Sequence, residues 1–247
     1  MARWALVTGA SSGIGAATVR ALRAEGYEVI ASARREDRLA ELSEETGCIY
    51  VVADLTTDEG VEILAEAVEA AGGVDVLVNN AGGALGTDPV AEGKLDEWRA
   101  MYELNVIATL AITQKLLPAM RERGGDVVFI LSTAAIGTYP GGAGYVAAKH
   151  AERQIADTLR LELMGEPVRI ISIDPGMVKT DEFSLNRYHG DAELAAAVYA
   201  GVDEPLVAED IAECVRWAVQ LPAHVNIDSL VVRPVAQASN TMVARRK

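Results

Sequence analysis

Short runs rich in Val, Ile and Leu alternate with stretches whose apolar positions recur at helical spacing, almost to the end of the chain. The runs predict seven strands, at about residues 3–8, 27–33, 48–53, 74–79, 126–131, 168–173 and 229–232. Between them the periodic stretches predict helices over about 13–25, 37–45, 61–71, 95–121, 145–164 and 207–220. Near-continuous aliphatic strands separated by helices imply a parallel sheet buried on both faces, a doubly wound α/β architecture. No repeat, low-complexity tract or Pro/Ser-rich linker divides the chain, so one domain is expected over residues 1–247. The rhythm breaks over 179–204, a long polar stretch containing Phe183, Arg187, Tyr188 and His189. Insertions of this length usually form lids or binding loops. A solvated surface segment is the alternative.

Composition narrows the function. Half of the residues are hydrophobic, enough for a sizeable core, and the formal net charge is -14. That average field repels phosphate, which argues against a general nucleic-acid or anionic-membrane binder. Any phosphate must therefore be held by a local cluster of donors. Cys48 and Cys214 lack CxxC spacing and a neighbouring His, and each lies in an apolar run, as buried free thiols do. A reducing, cytoplasmic setting is expected. The first strand runs straight into a glycine-rich turn, leaving no room for a signal-peptide core. No apolar stretch is long enough to span a bilayer.

That turn reads Thr8-Gly9-Ala10-Ser11-Ser12-Gly13-Ile14-Gly15. Glycines between a strand and a helix let the backbone approach a pyrophosphate seated at the positive helix N-terminus. At the end of the second strand, sites for NAD usually carry an acidic residue that holds the ribose hydroxyls. Here Ala33 is followed by Arg34 and Arg35. Guanidinium groups pair with a 2′-phosphate where a carboxylate would repel it, so NADP(H) is the expected cofactor. The competing reading has Arg35 paired with Glu36 or Asp37 at a solvated helix start.

Tyr145 and Lys149 sit four residues apart at the start of a predicted helix and so share one face. Ser132 ends the fifth strand, placing all three where ligands bind in open α/β sheets. A tyrosine acting as base near neutral pH needs its proton affinity lowered. The Lys149 ammonium and a positively charged nicotinamide would both act in that direction.

Taken in order, Thr8–Gly15, Asn79-Asn80-Ala81-Gly82, Asn105, Ser132, Tyr145-x-x-x-Lys149 and Pro175-Gly176 resemble the short-chain dehydrogenase/reductase family over nearly the whole chain. The resemblance implies a single-domain Rossmann fold and a catalytic tetrad. In it Asn105 holds a water, Ser132 orients substrate, Tyr145 is the acid/base, and Lys149 binds ribose and tunes Tyr145. It further implies a cofactor lined by Gly9, Ser11, Ser12, Gly13, Ile14 and Gly15 at the turn. Asp54 would meet the adenine with Leu55 beside it, and Asn79 would back the adenosine, with Ala81 and Gly82 alongside. Pro175, Gly176, Val178 and Thr180 would lie by the nicotinamide. Asp174 departs from relatives that often carry Asn. None of His150, His189 and His224 supports a metal site, and none is expected.

The segments 182–191 and 221–227 resemble, more narrowly, the NADP-dependent 3-hydroxy acid dehydrogenases, which oxidise serine and similar acids. That implies a small-molecule substrate touched by Phe183 and Arg187, with Arg187 holding a carboxylate unless it is an ordinary surface arginine. It also implies a homotetramer, with the 233–247 extension placed to wrap a neighbouring subunit. A reductase of bulkier ketones or 3-oxoacyl thioesters, a non-catalytic cofactor sensor, and a methyltransferase on a similar sheet are the alternatives. Retention of both Tyr145 and Lys149 speaks against the sensor, and Arg34 with the Ser132/Tyr145/Lys149 set against the methyltransferase.

Overall fold

The computed structural model describes residues 2–180 and 182–246; Asp181 and Lys247, within the expected lid and extension, lie outside the described residues. Seven strands form one sheet: β1 (Trp4–Thr8), β2 (Glu28–Ala33), β3 (Ile49–Val52), β4 (Val76–Asn79), β5 (Gly125–Ile130), β6 (Val168–Pro175) and β7 (Leu230–Val232). Their order is β3-β2-β1-β4-β5-β6-β7, and every pairing is parallel. The expected doubly wound sheet is therefore present.

Alternation along each strand splits the core in two. Ala5 and Val7 of β1 pack with Val29, Ile171, Ile211 and Val215 on one face. Leu6 points the other way, with Leu77, Ile112 and Phe129. Burying both faces is what forces aliphatic residues at nearly every strand position. The edge strands β3 and β7 are more exposed.

Six helices match the predicted ones: α1 (Gly13–Ala24), α2 (Glu36–Thr46), α3 (Asp58–Ala70), a long unit over 95–123, α6 (Ala143–Glu162) and α9 (Ala208–Gln220). Local chemistry sets their ends. Thr57 caps α3 by accepting from the Gly60 amide at 3.0 Å, and Gly47 ends α2 in the left-handed region at φ 70°. The 95–123 unit is not uniform. It consists of α4 (Leu95–Tyr102), a π-helical turn over Glu103–Ile107, and α5 (Ala108–Arg123).

The 179–204 segment carries two short helices that periodicity does not predict, α7 (Phe183–Arg187) and α8 (Ala192–Ala197). It is tied to the body by Tyr199 Oη donating to the Val178 carbonyl at 2.8 Å and by the Gly86 amide donating to the Arg187 carbonyl at 2.9 Å. The C-terminal stretch turns back on this segment of its own chain. The Arg246 amide donates to the Gly201 carbonyl at 2.7 Å, and the Arg245 guanidinium reaches the Val198 carbonyl at 3.0 Å. Among the described residues no helix is long and apolar enough to cross a membrane.

Candidate active site

Strand order reverses between β1 and β4, and at such a switch point the connections diverge and leave a crevice above the strand ends. The glycine turn follows β1, Asn80-Ala81-Gly82 follows β4, Ser132 follows β5, and Gly176 follows β6. A cavity of about 790 Å³ lies there, lined from Gly9, Ser12 and Gly13 at one end to Ser132, Tyr145 and Lys149 at the other.

The glycine turn is built for close approach. A Cβ on Gly9 would lie 2.8 Å from Ala81 Cα, and one on Gly15 would strike the Gly9 carbonyl and lie 2.6 Å from Asn80 Nδ2. Gly9 and Gly13 both have positive φ, at 64° and 51°. Two residues outside the expected set hold the turn. The Asn80 side-chain amide donates to the Thr8 carbonyl at 2.9 Å and the Gly9 carbonyl at 3.2 Å. Thr8 Oγ1 accepts from the backbone amides of Asn80 and Ala81, each at 3.0 Å. This close-packed glycine backbone, with no Cβ at Gly9, Gly13 or Gly15, fits a dinucleotide pyrophosphate.

Arg35 lies across the same turn. Its guanidinium donates to Ser11 Oγ at 2.8 Å and Ser12 Oγ at 3.0 Å and pairs with Glu182. Ser12 Oγ donates to Glu182 Oε2 at 2.9 Å. The partner of Arg35 is therefore Glu182, not the adjacent Glu36 or Asp37. Hydrogen bonding to Arg35 holds the Glu182 carboxyl below its ordinary range, against the effect of burial. Arg34 is exposed. Burial opposes the charged form of Asp54, but hydrogen bonds from Thr56 and the Arg34 charge outweigh it and hold that carboxyl low.

Two of the expected cofactor residues turn their side chains into the protein. Leu55 is buried in the core with Val61 and Leu64. Asn79, 2% exposed, turns its side chain to Thr113 Oγ1 at 2.9 Å, since alternate strand residues face opposite ways; Asn80 meets the turn instead.

At the other end the four tetrad residues converge. Asn105, in the π-helical turn, is fully buried; its side chain accepts from the Gly83 amide at 3.1 Å and donates to the carbonyls of Gly83 at 2.9 Å and Met101 at 2.7 Å. A Cβ on Gly82 would lie 2.7 Å from Asn105 Oδ1 and 3.4 Å from Lys149 Nζ, so only glycine lets these groups come together. Lys149 Nζ donates to the Ile130 carbonyl at 3.0 Å and to Glu152 at 2.6 Å. Burial disfavours the Lys149 ammonium, but Glu152, then Tyr145, outweigh it and raise its proton affinity. For Tyr145 burial dominates and pushes the phenol up, while Lys149 and the Ser132 hydroxyl pull it down. In the protein alone, then, the expected lowering is absent, because burial outweighs Lys149 and Ser132.

Pro175 ends β6, and a Cβ on Gly176 would collide with Gln237 and lie 2.9 Å from Arg233 Cγ. Val178 and Thr180 line the cavity near Gly13, the Thr180 Cγ2 standing 3.3 Å from a Cβ placed there. Phe183 packs edge-on against Tyr145, with ring centroids 5.6 Å apart. Arg187 also lines the cavity, and three of its five N–H donors are engaged, by Tyr139 Oη at 3.1 Å, the Gly141 carbonyl at 3.0 Å and the Gly86 carbonyl at 3.3 Å. Gln237 and Asn240 of the tail complete the wall. Sequence offers no signal for either, because tail residues find their place only through the tertiary fold.

A doubly wound sheet with a phosphate-cradling turn, and a Ser/Tyr/Lys set at the far end of one crevice, defines an oxidoreductase built around a dinucleotide. Residues 3–188 match the short chain dehydrogenase family, and the chain belongs to it. An uncharacterized oxidoreductase of Mycobacterium tuberculosis is 52% identical over 96% of this chain and 93% of its own. A serine 3-dehydrogenase of Rhizobium radiobacter is 42% identical over 94% of each. Among solved structures, the closed form of a serine dehydrogenase complexed with NADP+ superposes with TM-score 0.93 and 37% identity, over 99% of this chain and 100% of the other.

Proposed function

We propose that this enzyme transfers hydride between NADP(H) and the carbonyl–alcohol pair of a small 3-hydroxy acid such as serine. The observation that carries the reading is one crevice lined by Ser12, which Arg35 holds at 3.0 Å, at one end and by Ser132, Tyr145 and Lys149 at the other. Arg35, with Ser11 and Ser12, supplies the donors for a 2′-phosphate that an otherwise acidic protein must gather locally. Bound NADP(H) supplies the hydride acceptor or donor, and its oxidised ring adds the positive charge that Tyr145 lacks in the protein alone.

The protein's own part is proton transfer and orientation. Ser132 holds the substrate oxygen; its backbone entry to the short turn at Thr133–Ala135 fixes the hydroxyl, which accepts from the Ala134 amide at 3.1 Å. Tyr145 donates a proton to that oxygen during reduction and removes it during oxidation. Lys149 favours the phenolate and keeps one of its three protons for the ribose, two being held by Ile130 and Glu152. Both amide protons of Asn105 are engaged, so its part in a water relay is that of an acceptor. The 179–204 segment serves as the substrate lid, with Phe183 against Tyr145.

That three of the five N–H donors of Arg187 are already engaged within the protein favours a second reading, reduction of a neutral, bulkier ketone in a pocket walled by Tyr139 and Phe183. Cofactor absorbance with serine, other 3-hydroxy acids and a ketone panel, each with NADP(H) and NAD(H), separates the two. Turnover of hydroxy acids with NADP supports the first reading, activity on ketones alone selects the second, and preference for NAD overturns the role of Arg35. A cytoplasmic homotetramer is proposed as well. It is supported by the free Cys48 and Cys214 and by exposed apolar side chains such as Leu161, Met164 and Val235. Light scattering checks the assembly.

A further inference from the structure

Glu152 lies one helical turn beyond Lys149 on α6 and is fully buried. Its Oε2 stands 2.6 Å from Lys149 Nζ, and its Oε1 has no hydrogen-bond partner. A carboxylate in such a place is costly to keep and brings no packing that an aliphatic side chain would not also provide. The groups facing it are charged or titratable on both neighbouring elements. From α6 these are Lys149 and Tyr145, and from β6 Asp174, itself fully buried. Asp174 is held by Arg153 at 3.0 and 3.1 Å and by Ser229 at 2.8 Å, so its charge is largely answered on its own side. The ammonium of Lys149 is therefore shared between the reacting tyrosine in front and a carboxylate behind.

We propose that Glu152 is a positioning residue for the reaction: its carboxylate anchors the Lys149 ammonium at the back of the site and offsets part of its charge toward Tyr145. This rests on the reading of Tyr145 and Lys149 given above. The geometry states what each partner does. Lys149 spends two protons on Ile130 and Glu152, which fixes the direction of the third toward the cavity. Anionic Glu152 favours the protonated phenol of Tyr145, opposing Lys149. Burial pushes the Glu152 carboxyl up to about 7, against the pull of Lys149, so the offset switches on near neutral pH. Below that range the carboxyl is neutral and Lys149 acts on Tyr145 with its full charge. Above it the ion pair forms and the effect is damped.

The test is the pH profile of kcat for alcohol oxidation in the wild type, Glu152→Gln and Tyr145→Phe. Glu152→Gln keeps the shape and removes the charge that Glu152 carries above about 7, so the part of the acid limb above that pH should move to lower pH by about one unit, as expected for loss of a nearby negative charge. A merely structural glutamate would lower kcat at every pH and leave the limb in place. An unmoved limb, or one displaced to higher pH, overturns the proposal. Should the amide variant fail to fold, Glu152→Met removes charge and orphan oxygen together and must shift the limb in the same direction. Tyr145→Phe separates the two levels of inference. If it retains turnover the acid/base reading itself fails, whereas an inactive Tyr145→Phe beside an unshifted Glu152→Gln sinks the role of Glu152 alone.

Discussion

Tyr145→Phe should reduce turnover by about 10²–10⁴-fold, the span of general acid–base catalysis, while cofactor affinity followed by fluorescence stays within about twofold. Arg35→Ala should weaken NADP binding by about tenfold and leave NAD nearly unchanged, because one charge-assisted donor set is lost at a partly exposed site. Glu182→Gln should act in reverse. It frees Arg35 and removes a carboxylate from beside the place of the phosphate, so calorimetry should show tighter NADP binding. At this scale the sequence is legible where chemistry is local. Spacing singles out Ser132, Tyr145 and Lys149, and position after the second strand singles out Arg34 and Arg35 without choosing between them. Glu182 and Glu152 carry no such mark. Glu182 meets Arg35 across 147 positions, and Glu152 resembles any polar residue on a helix until its burial beside Lys149 is known.

Tyr199 shows how an element is held over the site. Its hydroxyl lies 2.8 Å from the Val178 carbonyl and 3.0 Å from Ser184 Oγ, joining the end of the 179–204 segment to α7 and to the strand exit. Tyr199→Phe should loosen that clasp and raise the substrate KM several-fold or more, on the order of 1 kcal/mol for each of the two hydrogen bonds lost, with kcat at saturation little altered. Steady-state kinetics on the preferred substrate decide it, and an unchanged KM would remove the clasp from the account. The two short helices here are invisible to periodicity because neither spans enough residues to develop a face. The π-helical turn at Asn105 is hidden for the opposite reason. Its residues suit an ordinary helix, and only the wider backbone hydrogen bonding distinguishes it.

For the molecule as a whole, the alternation of aliphatic strands and periodic helices is enough to read the seven-stranded sheet, since burial of both faces leaves its mark on nearly every strand residue. What that pattern lacks is the course of the tail, whose Gln237, Asn240, Arg245 and Arg246 bond to backbone groups of Met177, Thr133 and residues 198–201, partners that carry no residue type to be read. Stability should carry the imprint of Glu152. Its carboxyl rises from an ordinary 4.5 to about 7 on folding, so the folded chain binds more protons than the unfolded one between those values. That contribution is present at low pH and is lost as pH rises through the window. Melting temperatures from pH 5 to 8 should fall more steeply for the wild type than for Glu152→Gln, and parallel curves would contradict it. A last consequence belongs to the Arg35–Glu182 pair. Glu182 immediately precedes Phe183, whose ring rests on Tyr145, so whatever occupies Arg35 is sensed one residue away from the substrate. This wiring favours a compulsory order, dinucleotide first and substrate second. Product-inhibition patterns should show it, and the order should relax when NAD, with nothing to offer Arg35, replaces NADP.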